Sequence, residues 1–402
     1  MGHEAIGLDE AYRRLMESLA PLKRTQTLPI DQAVGQVLTE EIMCRKALPA
    51  FDNSAMDGFA FRYEDRGGRL EIVGRILAGD RTPTVRLQSG QCYRIMTGAP
   101  IPPDADTVAA IETCTEIDDT HVTLPAEIQR GNAVRLRGEE TMPGSLLIAK
   151  GTRLNSGHMM MLASQGIAEV EVAAPLSIAI ASTGDEIREP WEEADEHTIY
   201  NANSSALLAL LRRYGFNARY VGSIPDDLSE SIHTVAQLKG YDVLITTGGA
   251  SGGDADHIRQ ALLTNGMEIL FHGVRIKPGH PVLAAHLGEL LALGLPGNPL
   301  AAWTNLLLLG IPALRTLQGD TSPDHLHVSA TLETPLRTRP GRSEAILGRY
   351  TDGTFTPYAN GRYGSGMITP LMESNALAIV PETATQLAPG DPIDILLIET
   401  SS

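Results

Sequence analysis

The chain opens on an amphipathic run, LDEAYRRLMESLAPL. Leu8, Tyr12, Leu15 and Leu19 recur there at helical spacing, and Pro21 helps to end the helix. Residues 22 to 50 are short and irregular, with one strand-like stretch, QVLTEEIM. From 51 to about 135, short β-like runs (LEIVGRIL, CYRIMTGAP, DTVAAIE, HVTLPAEI) alternate with Gly and Pro turns, which predicts a small β-rich unit. Residues 137 to 174 predict a turn and hairpin, then a helix, SGHMMMLASQG, whose methionine triplet is assigned to core packing.

From residue 175 the period changes. Apolar strands (LSIAIAST, ARYVGSIP, YDVLITTGGAS, ELLALGLPGNP) alternate with helices (NSSALLALLRRYG, LSESIHTVAQLKG, DHIRQALLTNG, LAAWTNLLLLGIPAL). Such βαβ grammar predicts a mostly parallel sheet with helices on both faces and ligands beyond the carboxyl ends of the strands. Asn203 is the expected N-cap of the first of these helices and Gly215 its stop, while Asn298 and Pro299 start the last. After residue 323 the β pattern returns (LHVSATLE, ALAIVP, PIDILLIE), predicting a small all-β domain over 324–402. The fold class expected is therefore multidomain α/β plus β: a central α/β domain, a small β-rich domain before it and a β domain at the end.

Composition narrows the function. The 402 residues suffice for two to four domains, and 43% hydrophobic with 20% charged residues is globular. Thirty-two basic against 49 acidic residues, a net charge of -17, repel phosphate backbones and exclude a nucleic-acid binder. Lysine is scarce (Lys23, Lys46, Lys150, Lys239 and Lys277), so a lysine inside a motif carries weight. Three cysteines without a CxxC fit a reducing cytosol rather than a disulfide or zinc framework. The N-terminal stretch has no apolar signal core, and the most apolar segment is broken by Pro, Gly and Asn. The expectation is a cytoplasmic protein with no membrane partner.

The candidate chemistry sits at strand ends. ITTGGASGGDADH brings Gly248, Gly249, Gly252 and Gly253 to the start of a helix near Asp256, a pattern suited to a phosphate or other oxyanion. It matches neither GxGxxG nor a P-loop. STGDEI offers Asp185 and Glu186, and SIPDDL offers Asp226 and Asp227. Each pair alone reads as a solvated turn or helix start, but with Asp256 they share one rim, where a hard cation such as Mg2+ could bridge carboxylates to phosphate oxygens. RIKPGHP places Lys277 before a rigid turn. RIMTGAP ends a strand at Thr97, which either holds an oxyanion or caps the turn. LRGEE (Arg135, Arg137, Glu139, Glu140) reads as a solvated patch, and the histidines of HLH at 325–327 as surface residues. No HExxH occurs, and no Ser-x-x-Lys ends at any lysine.

Taken in order, FDNSAMDGFA, IMTGAPIP, RLRGEE, STGDEI, TTGGASGGDAD, IKPGHP and GLPGNP resemble the signature set of the molybdopterin molybdenumtransferase family, the MoeA and gephyrin E-domain family. The resemblance covers essentially the whole chain. It implies a homodimer with four domains per subunit: an elongated linker and dimerisation domain (22–50 and 137–174), an inserted β-rich domain (51–136), a molybdopterin adenylyltransferase-like α/β domain (1–21 and 175–323) and a C-terminal β-barrel-like domain (324–402). It implies an enzyme that takes adenylylated molybdopterin and molybdate as co-substrate, with Mg2+, and releases AMP. Molybdopterin adenylyltransferase and recipient molybdoenzymes are further implied partners. By the same resemblance, Asp57, Thr97, Glu186, Asp226, Asp256 and Lys277 are catalytic. Ser54, Glu140, Gly248, Gly249, Ser251, Gly253, His280, Pro296, Gly297, Asn298 and Pro299 bind substrate, and Asp185, Glu186, Asp226, Asp227 and Asp256 bind metal. Asp57 and Thr97 would act from the partner subunit, and the phenylalanines around DNSAMDG would anchor that segment.

Two departures stand out. The family usually reads KPGKP where this chain has His280, a side chain only partly cationic at neutral pH. Glu140 stands where the family often carries Asp. These departures motivate an alternative, a carrier or scaffold for the pterin cofactor with little turnover. An adenylyltransferase is a third reading, opposed by the extra β domains and by DNSAMDG.

Overall fold

The computed structural model describes residues 5–84, 86–249 and 257–398. The chain divides into two compact units, one of Met1–Thr39, Gly151–Asn155 and Glu169–Ser402, the other of Glu40–Lys150 and Ser156–Ala168.

In the first unit, six strands form a sheet in the order Ala218–Ile224, Ile178–Thr183, Val243–Thr247, Leu290–Leu295, Leu283–Leu287, Glu268–His272. The first four are parallel, Leu283–Leu287 runs antiparallel to both of its neighbours, and Glu268–His272 again runs with the first four. The sequence pattern announced the parallel four, whose central members are buried along their whole length, as in sheets covered on both faces. Alternation assigns the faces. Ile178, Ile180, Val243, Ile245, Leu291 and Leu293 enter one core with Leu207 and Leu211 of the helix Ala202–Arg213. Ala179, Ala181, Leu244 and Ala292 enter another, with Val235 of Leu228–Gln237 and Ile258 of His257–Thr264. Leu283–Leu287 and Glu268–His272 were not read from sequence.

The opening helix is Leu8–Ser18, with Leu15 buried and Leu8, Tyr12 and Leu19 packed against the first core, as its spacing predicts. The segment Pro299–Leu317 is one helix long and apolar enough to cross a membrane; 89% of it is buried inside the protein, and it fills the first core.

Strands His327–Leu332, Ser343–Thr351, Thr354–Pro357, Ala376–Val380 and Pro392–Leu397 close into a five-stranded barrel around Phe355, Ile395 and Ala378. Ile276–Lys277 joins it, running parallel to Ser343–Glu344.

The second unit holds a five-stranded sheet in the order Thr107–Ala110, Gly58–Phe61, Gln91–Ile95, Arg69–Ile76, His121–Thr123. Phe59 and Phe61 are fully buried in its core with Leu70, Cys92 and Val122.

Five local expectations need correction. Asn201, not Asn203, caps the helix Ala202–Arg213, its Oδ1 accepting from Ser204 N at 3.1 Å. Asn298 precedes its helix without a side-chain cap bond; its amide donates to Ser365 Oγ at 3.0 Å instead. The methionine triplet is not core, since Met160 is 77% exposed and Leu162 is the buried residue of Ser156–Ser164. Of the two phenylalanines around DNSAMDG, Phe59 is an anchor, but Phe51 is exposed. His325 of the HLH triplet also departs from a surface reading: its Nε2 lies 2.7 Å from the Leu307 carbonyl, and burial lowers its pKa.

Candidate active site

The parallel strands end together, and their loops shape a cavity of about 700 Å³. The turn after Val243–Thr247 carries Gly248 and Gly249 at φ of +88° and +63°. A Cβ on Gly248 would stand 2.5 Å from Thr183 Oγ1 and 2.9 Å from the Thr183 carbonyl oxygen, so a side chain there would break the approach of the two strand ends. Ser182, Thr183, Thr247 and Asn201 add polar groups to the lining, and Glu186 and Asp226 add carboxylates. The GLPGNP turn supplies Pro296, Gly297, Asn298 and Pro299. Asn203 ties that turn to the neighbouring helix by donating to the Gly297 carbonyl at 2.8 Å.

A second cavity, of about 330 Å³, shares Pro281, Pro296 and Asn298 with the first. Lys277 and His280 line it from the KPGHP turn, and Arg342, Glu344 and Ser365 from the barrel. Lys277 Nζ lies 3.5 Å from Glu344 Oε2, and Arg342 Nη2 lies 3.5 Å from Glu344 Oε1. Arg339 N also donates to Glu344 Oε1, at 3.1 Å, so the buried carboxylate has three partners. Two cations against one carboxylate leave the pocket net positive, in a chain of net charge -17. Tyr363, also in the wall, accepts from Leu347 N at 2.6 Å, and burial pushes its hydroxyl up to about 12.

The other predicted acids have separate work. Asp227 caps Leu228–Gln237, accepting from Glu230 N at 2.9 Å. Asp185 Oδ1 accepts from Asp226 N at 3.3 Å. Among the described residues no group of three or more His, Cys, Asp or Glu is placed to hold a metal ion. Ser251, Gly253 and Asp256 lie outside the described residues.

Four predicted site residues, Ser54, Asp57, Thr97 and Glu140, belong to the second unit. Asp57 Oδ1 accepts from both the backbone N–H and the hydroxyl of Thr97, each at 2.7 Å. The backbone donor first, then the hydroxyl, lower the Asp57 pKa, with Arg75 and Arg94 adding weaker attraction. Ser54 is fully buried and donates to the Met56 carbonyl at 2.6 Å, which holds the loop in shape. Glu140 is exposed, and its backbone N–H donates to the Leu48 carbonyl at 2.9 Å.

Residues 6–166 match the MoeA N-terminal region (domain I and II), 179–316 a probable molybdopterin binding domain, and 329–398 the MoeA C-terminal region (domain IV). Over 99% of its length the chain is 31% identical to a molybdopterin molybdenumtransferase of Staphylococcus epidermidis, covering 96% of that protein. The chain belongs to the molybdopterin molybdenumtransferase family. A Staphylococcus aureus relative of the same name is 30% identical, again over 99% of this chain and 96% of its own. The molybdopterin biosynthesis moeA protein of Pyrococcus horikoshii superposes with a TM-score of 0.84 at 27% identity, over 98% of this chain and 100% of that one. The chain is thus a transferase of molybdenum cofactor biosynthesis, as its motifs implied.

Arg342, Glu344 and Ser365 were missed from sequence. RPGR and ANGRYGSG read as turns between strands, and only closure of the barrel beside KPGHP brings Arg342, Glu344 and Ser365 into one pocket with Lys277.

Proposed function

We propose that the chain inserts molybdate into adenylylated molybdopterin and releases AMP. One observation carries the reading: a large polar-lined cavity with a glycine turn adjoins a small pocket holding Lys277 and Arg342. The first suits a phosphate-bearing pterin nucleotide. The second suits a tetrahedral oxyanion, through charge-assisted hydrogen bonds from an ammonium and a guanidinium. Their shared wall at Pro281, Pro296 and Asn298 would set the two substrates side by side.

In this reading a water oxygen attacks the adenylyl phosphorus and gives up its proton to solvent, the bridging P–O bond breaks with the pterin phosphate as leaving group, and the adenylyl group, now carrying the water oxygen, departs as AMP. Gly248 and Gly249 would bring backbone close to the phosphates. Lys277 and Arg342 would neutralise molybdate. Glu186 and Asp226, two oxygen donors on one cavity, fit the sparse protein coordination of Mg2+ and would hold it against the substrate phosphates. The ion would supply charge neutralisation for the departing phosphate. Asp57 and Thr97, the remaining substrate-binding residues named from the motifs, the four-domain division, the homodimer and the cytoplasmic setting belong to the same proposal.

Purified protein incubated with adenylylated molybdopterin, Mg2+ and molybdate should release AMP in a molybdate-dependent way and yield transferable molybdenum cofactor. Pterin binding without AMP release would overturn the transferase reading in favour of a carrier. Light scattering on the same sample tests the dimer.

A further inference from the structure

The large cavity has two kinds of wall. Its polar part, from Ser182, Thr183 and Thr247 to the glycine turn, matches phosphates. Its mouth carries exposed apolar surface. Ile199 is 59% exposed, Tyr200 51% and Ile368 47%, and all three line this cavity. Large side chains so exposed are ordinary when scattered singly but informative when they meet at one mouth.

The fold holds them there. Ile199 and Tyr200 form a two-residue parallel ladder with Ile187 and Arg188, and Ile187 also lines the cavity. The next residue, Asn201, is pinned by donating to Ser182 Oγ at 2.8 Å and Tyr220 Oη at 3.0 Å while capping its helix. Ile368 arrives from the opposite direction in the chain, just before the short helix Thr369–Met372. Aromatics are only 4% of the chain, and one of them is placed half-exposed at this mouth.

We propose that Tyr200, flanked by Ile199 and Ile368, is a specificity-determining residue that stacks on a heteroaromatic ring of the substrate while the polar wall takes the phosphates. This rests on the transferase reading, which supplies a substrate with the same division: anionic phosphates joined to flat rings. The ring is either the adenine of the nucleotide or the pterin, and stacking on a tyrosine face serves both.

The test uses the full chain and three variants, Tyr200→Ala, Tyr200→Phe and Ile368→Ala, with melting temperature as the folding control. AMP and ribose 5-phosphate are the probes, titrated calorimetrically. Ribose 5-phosphate keeps the phosphate and loses the ring. If adenine stacks here, Tyr200→Ala weakens AMP about tenfold, Tyr200→Phe restores it, and ribose 5-phosphate is unmoved. If the pterin stacks here, AMP is unmoved but the KM for adenylylated molybdopterin rises about tenfold, with the molybdate KM unchanged. Equal weakening of both probes, or no change in either AMP affinity or pterin KM, overturns the proposal. AMP titration needs no turnover, so absence of transferase activity in the wild-type chain would defeat that reading without deciding this one.

Discussion

Lys277 and Glu344 are register partners in the parallel ladder between Ile276–Lys277 and the long barrel strand, with Nζ 3.5 Å from Oε2. Paired residues in a parallel ladder project to the same face, so the ladder itself delivers the lysine to the carboxylate. Glu344 also meets Arg342, two residues before it in the chain. A buried acid thereby fixes two partly exposed cations in one pocket. Left alone, two flexible cations would repel each other and sample many rotamers.

Replacing either cation should therefore act on molybdate before it acts on the pterin. A hydrogen bond to a charged group contributes about 1.5–3 kcal/mol, or about ten- to a hundredfold in affinity. Lys277→Met and Arg342→Met should each raise the molybdate KM by that factor, with the pterin nucleotide KM within about twofold. Steady-state kinetics with each substrate varied in turn reads the split, and equal rises in both KM values would contradict it.

Asp57 makes a prediction in the other unit. Its folded pKa lies below the ordinary carboxylate value of about 3.9 because Thr97 donates twice to the ionised form. The sign follows: its stabilisation is complete above the unfolded pKa and is lost as pH falls through the lowered folded value. Thr97→Val removes the hydroxyl donor and keeps the backbone one. The carboxyl pKa should rise toward the ordinary value without reaching it, so this contribution disappears at higher pH on acidification. A carbon-13 titration of the Asp57 carboxyl measures the shift directly. An unchanged titration would mean that the backbone donor alone sets the pKa.

The elements most legible in the sequence were those whose burial is local in pattern. LSIAIAST and YDVLITT are apolar throughout because they lie in the middle of a parallel sheet, and the helix spacing of Leu8, Tyr12 and Leu15 needs no partner to be seen. The longest barrel strand, SEAILGRYT, escaped because only its first six residues are buried, and its polar start hides the run. Leu283–Leu287 escaped although its hairpin partner Leu290–Leu295 was read from ELLALGLPGNP. The site divided in the same way. Lys277 and the GLPGNP turn stood out by rarity or chemistry, whereas Arg342 and Ser365 acquire meaning only when barrel closure carries them beside KPGHP. The cap was misplaced by two residues because Asn201 and Asn203 are chemically equal in sequence, and only the backbone decides which of them accepts from Ser204.

Gly279 gives a stability test of the turn that presents Lys277. Its φ is +110°, and a Cβ would fall 2.0 Å from Asn305 Nδ2. That amide is fully buried and donates to the carbonyls of Gly279 at 3.0 Å and Ala301 at 2.9 Å. Gly279→Ala must displace Asn305, leaving buried carbonyls short of a donor, in addition to the backbone strain. The expected loss is about 2 kcal/mol or more. Urea unfolding measures it, and the molybdate KM should rise in the same variant. Gly288→Ala, at φ +59° with open space around it, should cost less and leave that KM unchanged.

His280 carries the last prediction. Its Nδ1 lies 2.9 Å from the Val274 carbonyl oxygen. A carbonyl only accepts, so Nδ1 bears the hydrogen, and in the neutral ring Nε2 is left as an acceptor. A neutral histidine so fixed has no donor to spare for an oxyanion, whereas a lysine in its place would keep its charge into alkaline solution. His280→Lys should therefore lower the molybdate KM, by about tenfold if one charge-assisted hydrogen bond is gained. An unchanged KM would remove His280 from contact with molybdate and leave oxyanion recognition to Lys277 and Arg342.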